Sequence, residues 1–535
     1  MRQLLSFLLL LVPALGIAQQ RFYVFFPDKP AASLQEVALS PRAMEHRNAQ
    51  GIEQDQLDLP VDKNYLKALT DKGCSILRTS RWLNAALVTT HLNAEQLRSG
   101  LPRNWKVTSA SATRNQHPAK FHPMTTGTVF SPGRKTTSTF NYGLATDQNS
   151  AFEIEHLHDQ GYTGKDVLIA FLDAGYQGMY NNNYFDSLHQ NQRLIDSRDY
   201  WSGTNNVFHT SDHGTMVTSI VVANLPGVFV GMAPHAKITV ALTDDYYTET
   251  HQDEFYYVAG LEWADSMGAD LVSASVSYLD FDSGVVDYNF QDMDGKTTIV
   301  AQGARIAARK GMLIVNGAGN TAGAICSPCD VDSLLCVGGA MLNLSYDQIS
   351  SGGPTYDGRL KPDVAGITMP VMAINGNAAI QVMQYGGTSS ATPMISGLAA
   401  CLKQKHPTAT NIQLITAIEQ SGHIAATPNN QIGHGVPNAR RADSILSVIT
   451  GIPLAPEITT NFDIYPNPFS SRVNLRSTRE FSTLVVTDLQ GRIVFRQAVN
   501  NTTASANLEQ LPEGLYLIQV SFIDGSMIRK KLQKY

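Results

Sequence analysis

The chain has 535 residues, of which 43% are hydrophobic and 16% charged, with a formal net charge of -6. One hydrophobic core cannot serve so long a chain, so two to four domains are expected. The acidic balance lacks the basic footprint of nucleic-acid binding and excludes nucleic acid as a partner.

The chain opens MRQLLSFLLLLVPALGIAQQ, with Arg2, an apolar stretch from Leu4 to Leu15, and the small residues Gly16 and Ala18. This layout predicts a secretory signal peptide over residues 1–18, too short for a transmembrane anchor. No later segment approaches membrane-spanning length, so export without a transmembrane anchor is expected. Residues 19–125 then alternate strand-like RFYVFF and NAALVTTHL with helix-like NYLKALTDKG and NAEQLRSG, which reads as a small α+β unit. It closes in HPAKFHPMTTGTVFSPGRKTTSTF, a Pro- and Thr-rich stretch with the character of an exposed linker.

Residues 140–450 change texture. Apolar strand candidates fall at 167–173, 237–243, 270–277, 311–317 and 333–340, with helical patterns at 255–268 and 297–311 between them. Such alternation predicts an α/β fold, a mostly parallel sheet covered by helices on both faces, with active-site groups at the carboxyl ends of strands. After a linker at 451–461 the pattern becomes all-β over 462–535, where Tyr516, Ile518, Val520 and Phe522 alternate onto one face and IDGS gives a hairpin signal. A small β-sandwich is expected there. Of the five cysteines, Cys326, Cys329 and Cys336 lie close enough for a local disulfide, and buried free thiols are the alternative reading; Cys74 and Cys401 stand apart.

The middle region carries candidates for acyl transfer by a serine, which needs a base, a carboxylate to orient it and donors for the oxyanion. Asp173 ends the strand VLIAFLD, and His213 begins a helix in SDHGTMVTSIVVAN. Asn320 follows the strand LIVNGAGN, while Ser389 and Ser390 open a helix in GGTSSATPMISG. Each alone reads more readily as a turn or cap residue, and it is the four together that point to catalysis. Asp292-x-Asp294-Gly295 resembles part of a calcium loop, but it lacks the distal glutamate and reads better as a polar turn.

The order Asp, His, Asn, Ser, in the boxes LDAG, HGTMV, GAGN and GTSSATP, resembles the subtilisin-like serine proteases (subtilases). The resemblance implies an α/β subtilisin-like domain, preceded by an inhibitor-type propeptide. It makes Ser389 the nucleophile rather than Ser390, His213 the base, Asp173 its orienting carboxylate and Asn320 the oxyanion donor. Ser275, Val276 and Ser277 would pair with the backbone of a polypeptide substrate. No cofactor is required for this chemistry; subtilases often carry structural calcium, for which no ligands are assigned here. Three departures stand out: Ala174 replaces a hydroxyl residue after the Asp, Met216 replaces a second histidine, and Gly366-Ile367 replaces Pro-Gly. The tail, with YPNP, DLQGR and LPEGLY, resembles the C-terminal sorting domain of type IX secretion substrates. That likeness implies the type IX machinery as a partner and delivery through the periplasm to the medium or outer surface of a Gram-negative cell. The competing reading is a catalytically inactive, subtilase-like surface binding protein.

Overall fold

Short apolar runs alternating with helices can bury both faces of a sheet only if the strands run parallel with helical crossovers, and the chain builds such a sheet. The computed structural model of the chain describes residues 19–30, 37, 39–110, 138, 140–282, 284–376, 382–451, 462–488, 493–522 and 527–535. The expected signal peptide, nearly all of both linkers and the IDGS turn lie outside the described residues. The chain divides into two compact units, Met1–Thr450 and Gly451–Tyr535.

In the first unit, β1 (Gln20–Phe25), β2 (Ser75–Ser80), β3 (Ala85–Thr90) and β4 (Lys106–Ser109) form an antiparallel sheet in the order β2-β3-β1-β4. Helices Pro41–Ala49, Lys63–Asp71 and Ala94–Arg98 accompany it, which makes the expected α+β unit. Phe22, Val24, Leu69, Val88 and Leu97 fill its core.

Seven strands make the large sheet: β5 (Leu168–Asp173), β6 (Leu194–Asp199), β9 (Lys237–Leu242), β10 (Leu271–Ala274), β11 (Leu313–Gly317), β12 (Leu335–Met341) and β13 (Val364–Met369). The two-residue strands β7 (Asn224–Leu225) and β8 (Phe229–Val230) form a separate small hairpin. The large sheet is parallel throughout, in the order β13-β12-β11-β10-β5-β9-β6. Every residue of β5 and β10 is buried, as central strands covered on both faces must be. The edge strands β6 and β13 were not among the sequence candidates. LIDSRD in β6 carries three charged residues, which an edge strand tolerates and which mask the apolar signal.

Helix His251–Met267 starts four residues before the expected 255. Thr250 caps it, closing a capping box with Asp253, and Gly268 ends it at a left-handed φ of 78°. Of the cysteine readings, the disulfide holds for Cys329–Cys336, whereas Cys74, Cys326 and Cys401 are free and buried.

The α+β unit docks on helix His251–Met267. Tyr23 stacks on Phe255 with ring centroids 5.4 Å apart, and Ser80 donates to Glu262. Arg47, only 2% exposed, reaches Asp265 at 2.6 Å and Asp58 at 2.7 Å. Arg81 donates to Asp265 at 2.9 Å, and Lys310 to Asp58 at 2.8 Å and Asp55 at 2.9 Å. Arg42 pairs with Asp270 at 2.5 Å.

The second unit is one antiparallel sheet in which β17 (Arg472–Thr487) pairs with β16 (Phe462–Tyr465), β18 (Ile493–Asn507) and β19 (Gly514–Phe522), and β19 pairs with β20 (Met527–Lys534). Register shifts near Phe481 let β17 meet β16 along its first half and β19 along its second. Tyr516, Ile518, Val520 and Phe522 are all buried, as their alternation predicts. Among the described residues no helix is long and apolar enough to cross a membrane.

Candidate active site

Strand order reverses at β5: the chain moves from β5 to β6 and then β9 on one side, then to β10, β11, β12 and β13 on the other. A crevice opens outside the carboxyl ends of strands at such a switch point. Asp173 is the last residue of β5, Ser275 to Ser277 directly follow β10, and Asn320 lies three residues past β11.

Asp173 and His213 are both buried, 2% and 1% exposed, and meet at 2.7 Å between Oδ1 and the ring Nδ1. His213 is the first residue of its helix, so its backbone is fixed by Ser211, whose hydroxyl accepts the His213 N–H at 3.1 Å. The Ala174 N–H donates to Asp173 Oδ1 at 2.8 Å, and Asp173 O accepts the N–H of Thr243 at 3.0 Å. A backbone amide thus contacts the carboxylate at the position where Ala174 supplies no hydroxyl. The Tyr385 ring meets the His213 ring edge-on, centroids 5.9 Å apart at 72°. Tyr385 ends β15 (Val382–Tyr385), which pairs with β14 (Val371–Ile374). Met216 is buried and packs in the main core.

Ser389 is the second residue of helix Thr388–Lys405, so its N–H has no carbonyl one turn earlier to accept it. Pro393 sits inside this helix and lacks an N–H, which leaves the Ser389 carbonyl without its helical donor. The Ser275 hydroxyl takes that place at 3.2 Å, while Ser389 Oγ lies 3.5 Å from the Ser275 carbonyl. The candidate nucleophile and the expected substrate strand are therefore joined through the backbone. Ser390 points elsewhere: its hydroxyl donates to the Gly387 carbonyl at 2.8 Å, and the residue is fully buried. Gly366 lies so close to this helix that a Cβ would come within 2.5 Å of the Ala391 carbonyl.

Asn320 is exposed, and its side-chain oxygen accepts from the Thr388 N–H at 2.9 Å and the Thr388 hydroxyl at 3.1 Å. An N–H donor requires an acceptor, so the amide orientation is settled and Nδ2 remains as the donor. Gly387, at φ 83°, leaves room beside this amide, since a Cβ would meet it at 3.1 Å.

Ser275 to Ser277, Asn320 and Ser389 thus line one cavity, while Asp173 and His213 pair at the end of β5, beside Tyr385. Chain order could not foresee Tyr385 or the Pro393–Ser389–Ser275 link, though a proline four residues past the serine was the available signal for the latter. Asp292 and Asp294 are used locally: Asp292 caps the Asn289 N–H at 2.8 Å, and Asp294 accepts from Lys296 and Thr297, as a polar turn does. Among the described residues no group of three or more His, Cys, Asp or Glu is placed to hold a metal.

Comparison with known proteins finds matches along most of the chain. The Secretion system C-terminal sorting domain family matches residues 463–534, and the Peptidase S8 propeptide domain of Bacteroidota matches 21–120. Subtilisin E of Bacillus subtilis is 28% identical over 272 residues, covering 50% of this chain and 62% of that protein. The subtilisin of Bacillus pumilus is 27% identical over 293 residues, covering 54% of this chain and 94% of that one. The chain thus spans 62% of the length of the Bacillus subtilis relative. A solved structure of the MycP3 protease from the type VII (ESX-3) secretion system covers 61% of this chain and 93% of that one, at 17% identity and a TM-score of 0.48. The Subtilase family itself matches residues 164–435, just over half of the sequence, and the chain belongs to that family.

Proposed function

We propose that this chain is a secreted serine endopeptidase, made as a pre-pro-form with a signal peptide at 1–18, a propeptide over 19–125, a peptidase domain over 140–450 and a sorting domain over 462–535. The observation that carries the reading is the buried Asp173–His213 contact of 2.7 Å, set beside a helix start that presents Ser389.

Ser389 Oγ attacks the carbonyl carbon of the substrate while His213 Nε2 takes its proton. Asp173 holds the imidazole tautomer that carries hydrogen on Nδ1 and stabilises the cation that forms. The negative charge that develops on the carbonyl oxygen is met by Asn320 Nδ2 and the Ser389 N–H, at the positive end of the helix. His213 then gives its proton to the leaving amine as the carbon–nitrogen bond breaks. Water repeats the sequence on the acyl-enzyme and restores Ser389. Ser275 to Ser277 pair with the extended substrate backbone.

No cofactor takes part, and no calcium ligands are assigned. The sorting domain addresses the protein to the type IX machinery, which exports it from the periplasm to the outer surface or the medium. Labelling by a fluorophosphonate tests the chemistry. Wild-type and Ser390→Ala proteins should be labelled and hydrolyse peptides, while Ser389→Ala should do neither. Failure of the wild type to label would favour the inactive surface binding protein instead.

A further inference from the structure

We propose that the cavity beside Ser389 selects a basic side chain, so that this chain cleaves after arginine and, less well, after lysine. The inference rests on the serine-peptidase reading above. The cavity, of about 280 Å³, runs between the segment after β10 that contains Ser275 and the turn that contains Asn320, with Ser389 in its wall. A peptide bond with its carbonyl between Ser389 and Asn320 therefore places an adjacent side chain in this space.

Three carboxylates line it, Asp244, Glu249 and Asp280, and no lysine or arginine does among the described residues. Asp244 is 2% exposed and held in place by the hydroxyls of Tyr278 at 2.8 Å and Thr243 at 2.7 Å. Glu249 is half-buried and Asp280 exposed, so the negative charge grades from the interior to the mouth. Cys326 also lines the cavity; burial, with the nearby carboxylates of Asp280 and Glu249, pushes its thiol up to about 11, so it stays neutral. A cavity of one sign with low-dielectric walls attracts the opposite charge more strongly than an open surface does. The planar fork of arginine presents five donors and meets a carboxylate with two parallel bonds, a geometry that the point charge of an ammonium does not reproduce.

The test uses the self-processed full chain and peptides that differ only in the residue before the scissile bond: Arg, Lys, Phe or Glu. Arg should exceed Phe by about tenfold or more in kcat/KM, with Glu lowest. Glu249→Gln should lower the Arg/Phe ratio about tenfold, and the exposed Asp280→Asn about threefold. Asp280→Lys, a surface change that answers even if Glu249→Gln fails to fold, should favour Glu over Arg relative to the wild type. A fluorophosphonate-reactive enzyme with an Arg/Phe ratio of one or below, or a ratio unmoved by the variants, would overturn the pocket assignment alone. A protein that neither labels nor hydrolyses any of the peptides would overturn the peptidase reading and the pocket with it.

Discussion

Arg47→Leu removes the centre of the buried ion network between the N-terminal domain and helix His251–Met267. The guanidinium donates four hydrogen bonds, to Asp265 at 3.2 and 2.6 Å and to Asp58 at 3.0 and 2.7 Å. Breaking a buried pair by deleting one partner costs about 3–5 kcal/mol, because the other charge is left in low dielectric. Here Asp265 keeps Arg81 and Asp58 keeps Lys310, so the lower end applies, about 3 kcal/mol. With a urea dependence of about 3 kcal/mol per molar for a domain of this size, the midpoint should fall by about 1 M. The assay is urea unfolding of the unprocessed Ser389→Ala protein followed by tryptophan fluorescence, since Trp82 and Trp263 are buried beside the interface. Burial raises the Asp265 carboxyl although Arg47 and Arg81 pull it down. Without Arg47 it rises further, and stability is lost as pH climbs through its folded-state value. The penalty should therefore shrink as pH falls toward the unfolded-state value of about 4 and be largest at pH 8. An unchanged midpoint at pH 8 would refute the account.

Asn320→Ala should lower kcat by about 100- to 1,000-fold at nearly constant KM, the magnitude known for the equivalent donor in subtilisin; steady-state kinetics with an unchanged kcat would remove Asn320 from the mechanism. Glu419, lifted to about 7 first by burial and then by the Asp363 carboxylate, is protonated in the folded state where the unfolded chain has already ionised. Stability should thus be lost as pH rises from about 4.5 to 7, and Glu419→Gln should remove that slope from the thermal midpoint. Truncation after residue 455 should leave peptide hydrolysis intact, since each proposed reacting group lies within the first unit, and should strand the protein in the periplasm of its native cell. Export of the truncated chain at the full-length level, read by cell fractionation, would dismiss the sorting role.

The candidate site was legible because its chemistry constrains neighbours in sequence. Ser389 needs a helix start and small residues, His213 a glycine beside it, and Asn320 a turn after a strand, so each left a local pattern. The N-terminal docking surface left none. PRAMEHRNA has no apolar stripe, so helix Pro41–Ala49 went unforeseen; the charge it buries, Arg47, finds Asp265 across 218 positions. Strand β6 was masked by its own charges. Tyr385 reaches His213 only because a hairpin folds it back.

The charges across the docking surface are sorted by side. Arg42, Arg47 and Arg81 belong to the N-terminal domain and face Glu262, Asp265 and Asp270 on the peptidase domain; among the described residues Lys310 alone runs the other way. After a cut between the two, they would meet again as oppositely charged bodies. Salt slows such encounters far more than it loosens buried pairs already formed. Ionic strength would then govern how often a departed N-terminal domain returns and leave its dwell time almost untouched, so the surrounding brine would set the pace of reunion and not the strength of the hold.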